Sequence, residues 1–143
     1  MSFEPPLSGN ERLAERWKSG NYDQLRELRI QLLSYGGEEV VPVCEPYVES
    51  LLQDGESLSP ASVVYVDGEP SQCHRNAAVL YEKEDSVTKI GAGWALSDDG
   101  LWRQHSWAMR GDVLVETTEP RVLYFGVLFD GSDADEFVAK NRF

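Results

Sequence analysis

An α+β fold is predicted by a change of period near residue 61 and by the turn residues that follow it. Before that point apolar residues recur at helical spacing; after it, β-branched and aromatic residues alternate with polar ones. Asp98-Asp99-Gly100 and Arg110-Gly111-Asp112 then read as hairpin turns. Helices followed by an antiparallel meander make one α+β domain over residues 1–143, with a helical part at 1–60 and a helix-plus-sheet core at 61–143. A chain of 143 residues is long enough to bury one core without disulfide or metal staples.

The elements follow in order. Ser8-Gly9-Asn10 offers caps to a helix over residues 11–18, which Gly20-Asn21 ends. A second helix is predicted over 22–35, with Leu25, Leu28, Ile30, Leu32 and Leu33 near one side and Gly36-Gly37 as its stop. A short third helix over 46–53 tolerates Pro46 in its first turn. Residues 62–66 form a β-branched strand closed by Asp67-Gly68. A helix over 72–82 has Ala77, Ala78 and Leu80 available for packing. Strands are predicted at 90–96, 101–109, 113–117 and 122–129, and the acidic stretch 130–136 caps a C-terminal helix.

Composition excludes several partners. Thirteen Lys and Arg stand against 25 Asp and Glu, a formal charge of −12 with no dense basic stretch. Nucleic acid is therefore not the expected partner, because a phosphate backbone attracts clustered Lys and Arg. No apolar run approaches the roughly 20 residues that cross a bilayer, and Met1-Ser2-Phe3-Glu4-Pro5-Pro6 has no signal-peptide pattern. Two cysteines are too few for a disulfide framework, so a cytoplasmic location is expected. A Cys44–Cys73 disulfide stays open, since it needs only suitable Cα geometry. Cys44, beside Val40-Val41-Pro42-Val43, reads as core. Cys44, Cys73, His74 and His105 supply four possible N/S ligands but no spaced pair, so neither metal nor cofactor is expected. The oligomeric state is not set by the sequence.

The chemistry-bearing residues are Cys73, His105 and Glu116. Cys73 lies in Pro70-Ser71-Gln72-Cys73-His74, where a proline turn gives way to a helix-forming run. His105 lies in the alternating segment Trp102-Arg103-Gln104-His105-Ser106-Trp107, and Glu116 in the strand after the Gly111 turn. A thiol attacks as the thiolate, and an ordinary cysteine with pKa of about 8.5 is mostly protonated at neutral pH. A helix N-terminus favours S⁻ through free N–H groups and its dipole. An imidazolium at His105 adds an opposite charge and later protonates the leaving group. Glu116 would hold the other ring nitrogen and fix its tautomer. The Cys73 amide is one candidate oxyanion donor, with Gln72, Trp94 or Trp107 as oxyanion or substrate-binding candidates. Trp94, Trp102 and Trp107 together could wall a groove, or simply fill the core.

Gln72-Cys73 opening a helix, His105-Ser106-Trp107 on a strand and Val115-Glu116-Thr117-Thr118 on the next resemble the transglutaminase-like branch of the papain-like cysteine protease superfamily. The family pattern is a Cys at a helix start, a His-Ala-Trp-like strand and an Asp-Pro-Thr-like strand. The preceding Gly91-Ala92-Gly93-Trp94-Ala95-Leu96 is similar to that family's Gly-Tyr-Ala-like strand. The resemblance spans residues 70–118. Glu116 stands where the family has aspartate, no proline follows it, and residues 1–60 match nothing in the pattern. The resemblance implies a papain-like core and acyl transfer through a thioester, as in a peptidase, amidase or glutamine deamidase. Its substrate would be a peptide, a protein or a small amide.

Two other readings stay open. The same fold can be catalytically silent and act as a binding module, with Cys73 buried or misdirected. An acidic interaction or inhibitor protein would instead use its carboxylates, and Cys73 would be an ordinary buried thiol.

Overall fold

The computed structural model describes residues 9–143; the Ser8 cap and the Met1–Pro6 segment lie outside the described residues. Two helices open the described chain, α1 (Gly9–Ser19) and α2 (Asp23–Tyr35), broken at Gly20-Asn21 as expected. Trp17, Leu25, Leu28 and Leu32 form their buried stripe, which packs against Trp94, Leu96, Trp102 and Phe125 of the sheet. Ile30 does not share that stripe: it is 72% exposed. It sits two residues from both Leu28 and Leu32, a spacing that a 3.6-residue period places on the opposite side.

The turn after α2 is fitted closely to the sheet. Gly37 has φ +84°, and a Cβ there would lie 2.8 Å from Leu96 and 2.9 Å from the Trp102 indole. Trp102 Nε1 donates to the Gly36 carbonyl at 2.9 Å, and Trp17 Nε1 donates to the Val40 carbonyl at 2.7 Å. These bonds satisfy the polar edge of two fully buried indoles. The chain then forms β1 (Glu39–Val40), α3 (Val48–Asp54), β2 (Glu56–Ser57) and β3 (Ser62–Tyr65). The two-residue strands β1 and β2 were not legible, because pairs of residues carry no period.

The second half holds α4 (Cys73–Lys83), β4 (Lys89–Leu96), β5 (Leu101–Arg110), β6 (Val113–Glu116), β7 (Leu123–Phe129) and α5 (Gly131–Asn141). Among the described residues the sheet order is β2-β7-β4-β5-β6-β3, with β1 also paired to β5. The strands β4, β5 and β6 form antiparallel hairpins, turned at Gly100 (φ +86°) and Gly111 (φ +55°). The predicted meander fails at its last strand. The far side of β6 is taken by β3, which runs parallel to it from Ser62↔Val113 to Tyr65↔Glu116. The chain therefore crosses back, and β7 pairs antiparallel with β4. The sheet is mixed.

One irregularity positions the site. On the side of β5 away from β4, β6 pairs only from Ala108↔Val115 to Arg110↔Val113, while β1 pairs only with Leu101 and Trp102. Residues 103–107 of β5 thus lack a strand partner on that side. The N-terminus of α4 occupies this opening, anchored where Ala77 and Ala78 pack with Ile90, Ala92 and Phe137.

Candidate active site

Cys73 is the first residue of α4, and local residues make that start rigid. Asn76, 7% exposed, ties the preceding turn to the helix: its Oδ1 accepts from the Glu69 amide and its Nδ2 donates to the Glu69 carbonyl. Ser71 takes a left-handed φ of +59°, which turns the chain sharply from Pro70 into the helix. Gln72 is the N-cap residue and its side chain makes no capping bond. The Gln72 side chain therefore does not occupy the first-turn N–H groups.

His105 and Glu116 reach the same point from two strands. Extending the β5–β6 register sets Glu116 opposite Trp107, so Glu116 and His105 are diagonal neighbours on one face. His105 Nε2 lies 2.7 Å from Glu116 Oε1, both groups being almost fully buried. Glu116 is held on all sides. Tyr124 donates its hydroxyl to Oε1 at 2.7 Å, and the Thr117 amide, Thr118 amide and Thr118 hydroxyl donate to Oε2 at 3.0–3.1 Å.

With Nε2 committed to Glu116, the other ring nitrogen is left for Cys73. The His105 imidazole and the Ser106 backbone N–H, on the stretch of β5 that lacks a strand partner, both favour the Cys73 thiolate. Burial pushes the Cys73 thiol up, but the hydrogen bond and charge of His105, with the Ser106 amide, outweigh it and hold the thiol below its ordinary range. Burial pushes His105 down, but Cys73 and Glu116 outweigh it and raise its pKa. Burial also pushes Glu116 up, against which His105, Tyr124 and Thr118 keep it ionised. The arrangement favours a thiolate–imidazolium pair.

A second network begins one residue along from each partner. His74 Nδ1 lies 2.5 Å from Ser106 Oγ, and the Gln104 side chain favours the charged form of the His74 ring. Gln104 Nε2 donates to the Cys44 carbonyl at 2.9 Å and to Glu45 Oε1 at 3.2 Å. Burial and the nearby His105 charge both lower the His74 pKa, so this imidazole is neutral. Beside it lies a cavity of about 260 Å³ that His74, His105, Ser106, Gln104, Glu45 and Phe137 help to line.

The sequence-predicted residues divide accordingly. Cys73, His105 and Glu116 converge. Gln72 is exposed at the helix start, makes no capping bond and does not line the cavity. Trp94 and Trp107 correct the expectation of substrate contact: both are fully buried, and neither lines the cavity. Trp94 and Trp102 belong to the core under α1 and α2, whereas Trp107 packs with Ala95, Met109, Leu114 and Tyr124. Cys44 is another correction. It is exposed and free, although the adjoining Pro42 is buried and Val43 packs against the core. Cys73 is also free. Among the described residues no group of three His, Cys, Asp or Glu side chains is placed to hold a metal, and no helix is long and apolar enough to cross a membrane.

Sequence reasoning missed Tyr124, Glu45, Gln104 and the His74–Ser106 pair. The only trace was strand alternation, which puts Gln104 and Ser106 on the face opposite His105. No protein-family model, curated protein or solved structure matches this chain.

Proposed function

We propose that this protein is a cysteine-dependent acyl-transfer enzyme, an amide hydrolase or acyltransferase with a Cys73–His105–Glu116 triad on a papain-like, transglutaminase-like core. The carrying observation is convergence: a thiol lowered by its imidazole, and an imidazole raised by a buried carboxylate 2.7 Å away. Structural ion pairs also shift pKa values, but here the thiol belongs to a helix N-terminus at a sheet opening.

The thiolate attacks the substrate carbonyl, forming the C–S bond while the carbonyl electrons move to oxygen. First-turn amides of α4, the Cys73 N–H among them, are the oxyanion donors. The His105 proton goes to the leaving amine as the C–N bond breaks, giving a thioester on Cys73. Water or an amine then attacks that thioester, His105 accepts its proton, and the thiolate is released. Glu116 holds the Nε2–H throughout and stays ionised.

One observation favours a second reading, a binding module without turnover. His105 is only 1% exposed, which leaves a leaving group little direct access. Trapping separates the two. On incubation with p-nitrophenyl acetate, mass spectrometry of the triad enzyme finds acetate on Cys73, and none in Cys73→Ala or at Cys44. No acyl group on Cys73 would leave the binding module.

A further inference from the structure

Glu45 is a half-buried carboxylate without a cationic partner, and it faces the cavity beside the triad. Its bonds all come from neutral donors: Trp94 Nε1 at 3.0 Å and Gln104 Nε2 at 3.2 Å on Oε1, and the Tyr47 amide at 2.9 Å on Oε2. Among the described residues none of the ion pairs includes Glu45. A carboxylate has about four acceptor positions, so Oε2 keeps unused capacity. Burial without a counter-ion pushes the Glu45 carboxyl up, and its bonds from Tyr47, Gln104 and Trp94 offset this only in part, so a cation in the cavity would favour its ionised form.

The walls around it are aromatic and apolar. Tyr47 and Phe137 stack at 6.5 Å with 26° between their planes, and both line the cavity with Pro46 and Ala92. A carboxylate beside two aromatic faces attracts a cation through charge and through the ring quadrupoles. The other charged groups leave that role open. Lys140 lines the cavity, but its side chain is 59% exposed and its amine is bonded to Glu136 at 2.9 Å. The His74 imidazole is neutral. The His105 imidazolium is already paired with Glu116 on one ring nitrogen and Cys73 on the other.

We propose that this cavity is a binding site for a short-chain primary ammonium group, with Glu45 as its counter-ion and Tyr47 and Phe137 as its walls. A volume of about 260 Å³ admits a short alkyl chain rather than a drug-sized ligand. The chain's net charge of −12 favours delivery of such a cation. The site's role in turnover rests on the acyl-transfer reading; its existence does not. The ammonium belongs either to the acyl donor or to an amine that resolves the thioester.

The test is calorimetric titration of the Cys73→Ala protein, which binds without turnover. n-Butylammonium is expected to bind at least tenfold more tightly than 1-pentanol or butyrate, and Glu45→Gln should remove that preference while leaving the alcohol unchanged. Equal binding of amine and alcohol would overturn the site. That comparison needs no substitution at Glu45, so it decides the matter even where Glu45→Gln fails to fold. In wild-type protein with p-nitrophenyl acetate, formation of N-butylacetamide assigns the ammonium to the acceptor. Inhibition of acylation without that amide assigns it to the donor. Loss of acylation with amine binding intact would sink the enzyme reading alone.

Discussion

Cys73 and His74 are neighbours in the chain, as are His105 and Ser106, yet the two crossed pairs they form have opposite electrostatics. Cys73–His105 is charged, and His74–Ser106 is neutral. Burial alone would neutralise both imidazoles. The difference lies in the partners: Cys73 and the carboxylate of Glu116 both favour the charged His105, whereas the nearby His105 charge disfavours a charged His74 and only the uncharged Gln104 favours it. Five donors from four residues fix Glu116 in its ionised form, so His105 keeps its proton at a depth where it would otherwise lose it. A thiol or hydroxyl next to a histidine therefore does not make a nucleophile. The anions around the ring decide.

The largest way to break this contrast is Glu116→Gln, which makes the ring's partner on the charged side as neutral as Gln104 on the other. Below pH 7 the Cys73 alkylation rate should fall about a hundredfold, toward that of an ordinary thiol. Stability should fall by about 3–5 kcal/mol, because buried donors lose a charged acceptor, as urea denaturation would show. Low-pH reactivity that survives this change would mean that Glu116 does not set the charge of His105.

The smallest effect sharpens the contrast from its neutral side. His74→Asn should leave the pH profile of Cys73 reactivity almost unmoved, since His74 carries no charge at neutral pH. An acid limb displaced by a full pH unit would show His74 to be part of the charged system.

Much of this was legible where a single side chain repeats a period or stands at a break. The helices at both ends of the chain, the Gly111 hairpin and the placement of Cys73 at a helix start follow from local rules. The His105–Glu116 pairing was legible because eleven residues around a tight turn leave few registers. The fate of β7 was not: nothing in Leu123–Phe129 says that β3 already covers β6. The tryptophans misled for a related reason. Alternation tells which residues share a face but not which face is covered, so Trp94 and Trp107 looked equally suited to a groove or a core. Glu45 acts through partners 49 and 59 residues away, and Tyr124 reaches Glu116 across a crossover of only eight residues; no local pattern announces either.

The sign of the pH dependence follows from the two shifts. The thiolate, with its pKa lowered, contributes stability above the ordinary thiol range and loses it as pH falls through the lowered value. The imidazolium, with its pKa raised, contributes below the ordinary imidazole range and loses it as pH rises through the raised value. Both charges coexist only in the window between those two values. The direct test is therefore the iodoacetamide alkylation rate of Cys73 against pH, in Cys44→Ser protein with and without His105→Ala. We expect fast alkylation at about pH 6 that His105→Ala reduces about a hundredfold. A rate that rises only near the ordinary thiol pKa, unchanged by His105→Ala, would contradict the ion pair and the enzyme built on it.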